Sequence, residues 1–169
     1  MRNLRLPALL IATFTALGGA ACGGGGGKGG TTPSGPASGD AFAAVFRAVE
    51  QWRQGWEVRS LEALAPLYRQ DGNTVVVYQG RPHVGWPQAQ NFLRQTVEGA
   101  KNVHLTLEEG QVTSIGAGGA TYSARLLREI SDGVLTVTDE GFLTMTFARA
   151  SGGDRWEIVS EHYSYAPVP

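Results

Sequence analysis

The chain has 169 residues, of which 42% are hydrophobic and 17% charged, and it contains 24 Gly and a single Cys. A single Cys excludes a disulfide framework within the chain and a multi-cysteine metal site. The formal net charge is −1, and it becomes −3 when residues 1–21 are left out. A weakly acidic chain with no cluster of Lys and Arg argues against nucleic acid as the main partner.

Residues 1–21 have the three-part pattern of a secretory signal peptide. Arg2 and Arg5 give a positive start, an apolar run follows from Ala8 to Leu17, and small residues then lead to Cys22. This order of segments is typical of export signals, and the apolar run is shorter than the ~20 residues that a membrane span needs.

The residues directly before Cys22 resemble the signal of bacterial lipoproteins. In that family small residues precede the Cys, as Ala20 and Ala21 do here, whereas Gly19 stands where Leu is usual. The resemblance implies an exported protein of the bacterial cell envelope, anchored to a membrane through lipid on Cys22. The outer membrane is expected if the cell has two. The alternative is an ordinary signal peptide cleaved after Ala21, which leaves a free thiol.

Residues 22–39 predict a flexible tether. Nine of the 24 Gly fall between Gly23 and Gly39, and a stretch so poor in apolar side chains cannot offset the entropy of ordering its backbone. Its root-mean-square reach is on the order of 20–25 Å. We therefore expect a lipoprotein signal peptide at 1–21, a lipidated Cys and tether at 22–39, and one folded domain at 40–169.

Helical patterns occupy the first part of this domain. Ser38 or Asp40 can cap a first helix, whose apolar residues recur at spacings of three and four. A second, short helix is predicted after Ser60, and a third from Pro87 to about Gly99. The apolar stripe of the first helix consists of Phe42, Val45, Phe46, Val49, Trp52 and Trp56.

Strand patterns dominate the rest of the domain. Thr74–Tyr78 is rich in β-branched residues, and Gly80-Arg81-Pro82 is expected to end this strand. From Val103 onward apolar and polar residues alternate, which predicts four long antiparallel strands, with a bulge or bend at Gly141. Helices followed by such a meander indicate an α+β fold, in which three helices cover one face of a strongly bent sheet.

Three segments match a known family pattern. They are the final strand from Trp156 to Ser164, the preceding Phe142–Phe147, and the opening Trp52–Trp56 with Ser60–Leu64. Together they resemble SnoaL-like domains of the nuclear-transport-factor-2-like superfamily over nearly all of 40–169. The resemblance implies a cone-shaped, strongly bent antiparallel sheet covered by three helices. Members include polyketide cyclases, isomerases, dehydratases and oligomerisation domains, so the fold does not determine the function.

The interior of such a cone is the predicted ligand pocket. Aromatic rings with one polar tip suit flat hydrophobic ligands, although aromatic residues at helical spacing also serve as simple core. The predicted pocket residues are Trp52, Trp56, Tyr68, Tyr78, Trp86, Tyr122, Met145, Trp156, His162 and Ser164. Of these, Tyr78, Trp86 and Tyr122 are expected nearest the mouth of the cone.

Acid–base chemistry has few candidate residues. His162 is in phase with Trp156 on the last strand, so it is expected to point into the cone, either as a proton shuttle or as structural polar packing. Asp139 and Glu140 flank the expected bend, and one of them faces inward if the strand is regular. We expect no metal site, because the spacing of the His residues does not suit ligands, and no cofactor.

These patterns favour binding over catalysis. The preferred hypothesis is an anchored domain that binds a small apolar or aromatic molecule, or a protein partner. One alternative is a cyclase-, isomerase- or dehydratase-type enzyme that uses His162 with Asp139 or Glu140. The other is a dimerisation or assembly module. The family resemblance implies a homodimer formed by the outer sheet face, which would offer Thr144, Thr146, Arg125, Leu127, Tyr163 and Tyr165.

Overall fold

Three helices lie in the described part of the chain. A computed structural model describes residues 39–151 and 153–167, so the predicted signal peptide, Cys22 and the tether before Gly39 lie outside the described residues. The helices are α1 (Gly39–Glu57), α2 (Leu61–Leu64), which continues into a 3-10 turn (Ala65–Leu67), and α3 (Trp86–Gly99). None of these described helices is long and apolar enough to cross a membrane.

Local capping sets the start of two helices. The hydroxyl of Ser60 accepts a hydrogen bond from the backbone N–H of Ala63 at 3.1 Å and so caps α2. Pro87 lies in the first turn of α3, where a missing backbone N–H costs no intrahelical bond. Both predicted helix starts are confirmed.

The described strands form one curved sheet in the order β2-β1-β6-β5-β4-β3. β3 to β6 form the predicted antiparallel meander, whereas β1 runs parallel to β6. The α+β fold class is confirmed, and the sheet is mixed rather than entirely antiparallel. The strands are β1 (Val75–Tyr78), β2 (Arg81–Val84), β3 (Asn102–Ile115), β4 (Gly119–Ser131), β5 (Thr136–Arg149) and β6 (Trp156–Pro167).

The edge strand β2 lies where the sequence predicted a break. Gln79 and Gly80 both have positive φ and form the tight turn between β1 and β2. Pro82 pairs with Val77, and β2 lies at the edge of the sheet. Pro is tolerated on an edge strand because its missing N–H interrupts no ladder on the open side.

The helices and the inner face of the sheet share one hydrophobic core. α1 packs against β3 and β6, and α3 packs against β1 and β2. On α1 the predicted stripe is buried at Val45, Val49, Trp52 and Trp56. Phe46 is 44% exposed, and its ring packs edge-on against another aromatic ring on β4.

A β-bulge at Val159 interrupts the regular alternation of β6. Ile158 pairs with Phe147, and Ser160 pairs with the neighbouring Thr146, so Val159 is an extra residue on this strand. An extra residue reverses which side chains beyond it face the interior, because side chains on a strand alternate with a period of two.

The faces of β6 are therefore inverted beyond the bulge. Glu161 and Tyr163 are buried, whereas His162 and Ser164 are exposed. Unbroken alternation from Trp156 predicted the opposite arrangement. The prediction that His162 and Ser164 point into the cone is wrong.

Gly141 is not the site of a bulge. β5 passes this residue in regular register with both neighbours, and Gly141 pairs with Leu126 and Tyr165. A Cβ at this position would clash with the backbone carbonyl of Ser164 and lie 2.9 Å from Cα of Tyr165. The glycine is required for the close approach of β5 and β6.

Candidate ligand-binding site

A small cavity lies between α1, α3 and the inner face of the sheet. Its volume is about 10 Å³, which is about the space that one water molecule needs. Most of its wall is aromatic or aliphatic, and one charged side chain contributes to it. The lining residues are Trp52, Trp56, Tyr78, Phe92, Val103, Leu105, Arg128, Ile130, Tyr163 and Tyr165.

Arg128 supplies the charge in this wall and is only 7% exposed. Its cross-strand neighbour Asp139 is 2% exposed, and the two form a buried ion pair. Arg128 Nη2 also donates a hydrogen bond to the hydroxyl of Tyr78 at 2.6 Å. A buried guanidinium requires such partners, because an uncompensated charge is costly away from water.

Aromatic rings enclose the guanidinium of Arg128. Its Cζ lies 4.5 Å from the ring centroid of Tyr165 and 5.0 Å from that of Tyr78. The ring of Tyr165 stacks on that of Tyr163 at 5.5 Å. Cation–π contacts of this kind stabilise a desolvated cation. The result is an aromatic wall with a polar centre.

Three buried polar atoms in the described residues have no hydrogen-bond partner, and all three belong to residues that line this cavity. They are Nε1 of Trp56, Nε of Arg128 and the hydroxyl of Tyr165. Buried polar groups are nearly always paired, so each exception points to strain, an unseen water or a ligand. Three exceptions around one cavity mark it as the candidate site.

Glu161 lies behind this wall in a second polar cluster. Its Oε2 accepts hydrogen bonds from Nε1 of Trp52, at 3.0 Å, and from the hydroxyl of Tyr68, and its Oε1 accepts one from the hydroxyl of Tyr163. Trp52 and Tyr163 also line the cavity. The carboxyl group of Glu161 thus fixes the positions of Trp52 and Tyr163 by hydrogen bonds on the side of the wall that faces away from the cavity.

Burial dominates the titration of Glu161. It raises the pKa of this carboxyl to about 8, although the hydrogen bonds from Tyr68 and Trp52 favour the ionised form. Glu161 is therefore mainly protonated at pH 7. Burial also raises the pKa of Tyr165 and that of Tyr68, so both phenols stay neutral.

The predicted pocket is brought together in part. Trp52, Trp56 and Tyr78 line the cavity. Tyr68 does not line it, but its hydroxyl donates a hydrogen bond to Glu161, which also accepts one from the lining residue Trp52. The remaining predicted residues lie elsewhere. Trp86 packs against the ring of Tyr68, and Tyr122 lines a separate groove beside Phe46. Met145 belongs to the core, the ring of Trp156 packs against the guanidinium of Arg149, and His162 and Ser164 are on the outer face of the sheet.

The acidic candidates are divided between the two faces of the sheet. Asp139 is buried and paired with Arg128, whereas Glu140 lies outside and pairs with Arg125. His162 is exposed, so it does not meet either residue inside the cone.

Sequence reasoning missed Arg128, Glu161, Tyr163 and Tyr165. Arg128 could have been found, because it continues the alternation of the buried Leu126 on β4. The three residues of β6 could not, because nothing in the local sequence marks the bulge that turns them inward.

The fold is that of nuclear-transport-factor-2-like proteins. A "Nuclear transport factor 2 (NTF2-like) superfamily protein" from Salmonella enterica is 17% identical, with a TM-score of 0.69 over 79% of this chain and 95% of that chain. The "Putative Scytalone Dehydratase" from Novosphingobium aromaticivorans is 12% identical, with a TM-score of 0.66 over 74% and 83%.

A third similar structure carries another enzyme name. The "Putative Aromatic Ring Hydroxylase" from Novosphingobium aromaticivorans is 16% identical, with a TM-score of 0.65 over 76% of this chain and 94% of that chain. No protein-family model and no curated protein matches the sequence. At these identities the likeness shows the fold alone.

Proposed function

We propose that this protein is an exported, lipid-anchored binding protein that takes a small, flat apolar molecule into its cone and does not transform it. The observation that carries the proposal is the aromatic cavity with unpaired polar atoms. Four of the lining residues are half-buried, namely Tyr78, Phe92, Ile130 and Tyr165. Because the free volume is about 10 Å³, a ring enters only when these side chains move apart.

Ethylbenzene is a suitable first probe, since it is a single ring with a short apolar chain. Titration followed by tryptophan fluorescence and calorimetry should give saturable binding, because Trp52 and Trp56 both line the cavity. Ile130→Phe fills the half-buried rim and should abolish binding while the unfolding temperature is kept. If the parent protein binds neither ethylbenzene nor the single-ring ligands acetophenone and benzoate, the proposal is refuted.

The contacts of the acidic residues support binding rather than proton transfer. Both oxygens of Glu161 accept hydrogen bonds from protein side chains, and Asp139 is held by Arg128. A general base must lie within hydrogen-bond reach of the proton that it removes, and neither carboxyl group belongs to a residue that lines the cavity. In the described residues these two buried carboxyl groups are therefore engaged in structural contacts.

An acid–base enzyme is the second candidate, and the raised pKa of Glu161 favours it. Two of the similar structures also carry dehydratase and hydroxylase names. A ketone with exchangeable α-protons, followed by NMR in D₂O, separates the two candidates. Hydrogen exchange that the protein accelerates, and that Glu161→Gln abolishes, would establish the enzyme.

Anchoring through Cys22 is supported by the sequence pattern alone. We expect Cys22→Ser to lose fatty-acid labelling and to release the protein from the membrane fraction, because one residue would carry the acyl chains. Ser34→Ala, also within the predicted tether, is the matched control and should stay with the membrane. Membrane association of the Cys22→Ser protein would exclude the anchor.

The outer sheet face supports a homodimer as a further proposal. Phe142 is 58% exposed and Leu127 is 38% exposed there, and apolar side chains on a sheet surface favour association. Tyr163 and Tyr165, also predicted for this face, are turned inward by the bulge. Sedimentation should show a dimer that Phe142→Glu dissociates and Val134→Glu, on a hairpin tip, does not.

A further inference from the structure

We propose that the cavity selects ligands that carry a neutral carbonyl oxygen on a flat ring. This inference rests on the proposed binding function and names the ligand class. Its basis is the character of the unpaired atoms, the charge balance of the wall and the aromatic lining.

The unpaired atoms call for a hydrogen-bond acceptor. Nε1 of Trp56 and Nε of Arg128 are N–H groups, which can donate but cannot accept. Both residues are more than nine-tenths buried. The hydroxyl of Tyr165 can donate as well. A carbonyl oxygen has two lone pairs, so it can accept from two of these donors at once.

The charge balance of the wall favours a neutral acceptor. Asp139 already compensates the guanidinium of Arg128, so a carboxylate ligand would add an unpaired charge to a buried site. The neighbourhood of Tyr165 includes the carboxyl groups of both Asp139 and Glu161. Asp139 carries the negative charge of the buried ion pair and therefore disfavours an anionic ligand but not a neutral carbonyl group. Glu161 is mainly protonated at pH 7 and adds no such repulsion.

The remainder of the wall fits a flat ring. Tyr163 and Tyr165 stack with an interplanar angle of 22°, and the ring of Phe92 lies 5.2 Å from that of Tyr78. Such rings offer flat faces, against which an aromatic ligand packs in offset-stacked or edge-to-face geometry. The polar atoms then fix the orientation of the ring.

Three single-ring probes test the inference: ethylbenzene, acetophenone and benzoate. They share the ring and differ in the group that would meet the unpaired donors. The quantity to measure is the affinity of acetophenone relative to ethylbenzene, in the parent protein and in the double variant Trp56→Phe with Tyr165→Phe. Tyr165→Phe keeps its ring and removes one O–H, whereas Trp56→Phe removes the N–H together with the five-membered ring of the indole. Because the two probes are similar in size, the ratio of their affinities largely cancels the effect of the added space.

We expect the double variant to lower this ratio about tenfold, because it removes two hydrogen bonds to the ligand oxygen. Benzoate should bind more weakly than acetophenone. Tyr122→Phe, which removes a hydroxyl in a separate groove, should leave the ratio unchanged.

Each other outcome overturns a distinct claim. A ratio that the double variant does not change would refute the carbonyl inference and leave the binding function intact. Tighter binding of benzoate than of acetophenone would refute the neutral acceptor. Failure of all three probes to bind would overturn the binding function and this inference together. The melting temperature of the double variant shows whether it is folded.

Discussion

Glu161 is a carboxyl group that water does not reach. Its side chain is fully buried, and rings of Trp52, Tyr68 and Tyr163 surround it with donors. Because burial raises the pKa in the folded state to about 8, the folded protein binds a proton that the unfolded chain releases near pH 4.5. This difference links the stability of the protein to pH.

The free energy of unfolding should fall as pH rises from about 5 to 8. In this window the folded state binds one more proton than the unfolded state, so each pH unit costs up to about 1.4 kcal/mol. Urea unfolding at several pH values measures this slope. Glu161→Gln should flatten it, whereas Glu98→Gln, at an exposed position of α3, should retain it. An equal slope in the Glu161→Gln protein would contradict the assignment.

Asp139 and Glu140 are neighbours in the sequence, but their substitution should lower the free energy of unfolding by very different amounts. Asp139→Asn leaves the buried charge of Arg128 without compensation and should destabilise the protein by about 3–5 kcal/mol. Glu140→Gln removes a half-exposed partner of Arg125 and should cost under about 1 kcal/mol. Chemical denaturation of both variants provides the measurement. Similar losses would contradict a buried ion pair.

At the level of elements, the contact between β5 and β6 depends on Gly141. Gly141→Ala would place a methyl group against the backbone carbonyl of Ser164, where no side chain can move aside. We expect a loss of about 3 kcal/mol or more. Gly118→Ala, which meets no atom within 4 Å, should change stability little. Equal unfolding midpoints for the two variants would show that the strands can separate.

Most elements of the fold could be predicted, because local rules determine them. The stripe on α1, the cap at Ser60 and the proline in α3 are local signals, and so is the alternation on β4. β2 was missed because Pro82 usually indicates a break, and only its position at the sheet edge makes it acceptable.

The candidate site was harder to predict than the fold. The register of β6 depends on how it pairs with β5, and a bulge residue such as Val159 has no distinctive chemistry of its own. The sequence therefore assigned His162 to the interior, where the structure has Glu161 and Tyr163. The ion pair of Arg128 likewise arises from strand pairing over a separation of 11 residues.

For the whole molecule, the described core is contained within the predicted domain. Its buried apolar residues begin at Ala41 and end at Tyr163. About 130 residues can bury enough apolar surface to fold alone. We expect a chain that begins at Gly39 to unfold within about 2 °C of one that begins at Cys22, as measured by calorimetry. A larger drop would show that residues 22–38 contribute to folding.

The bulge at Val159 also has an evolutionary consequence. The segment from Ser160 to Tyr165 contains two alternating sets of side chains, and the bulge determines which set faces the interior. A descendant that lost the bulge by making β6 regular would bring His162 inside and move Glu161 out, with no change in the codons of either residue. The presence or absence of one bulge residue would thus decide whether Glu161 or His162 faces the interior of the domain.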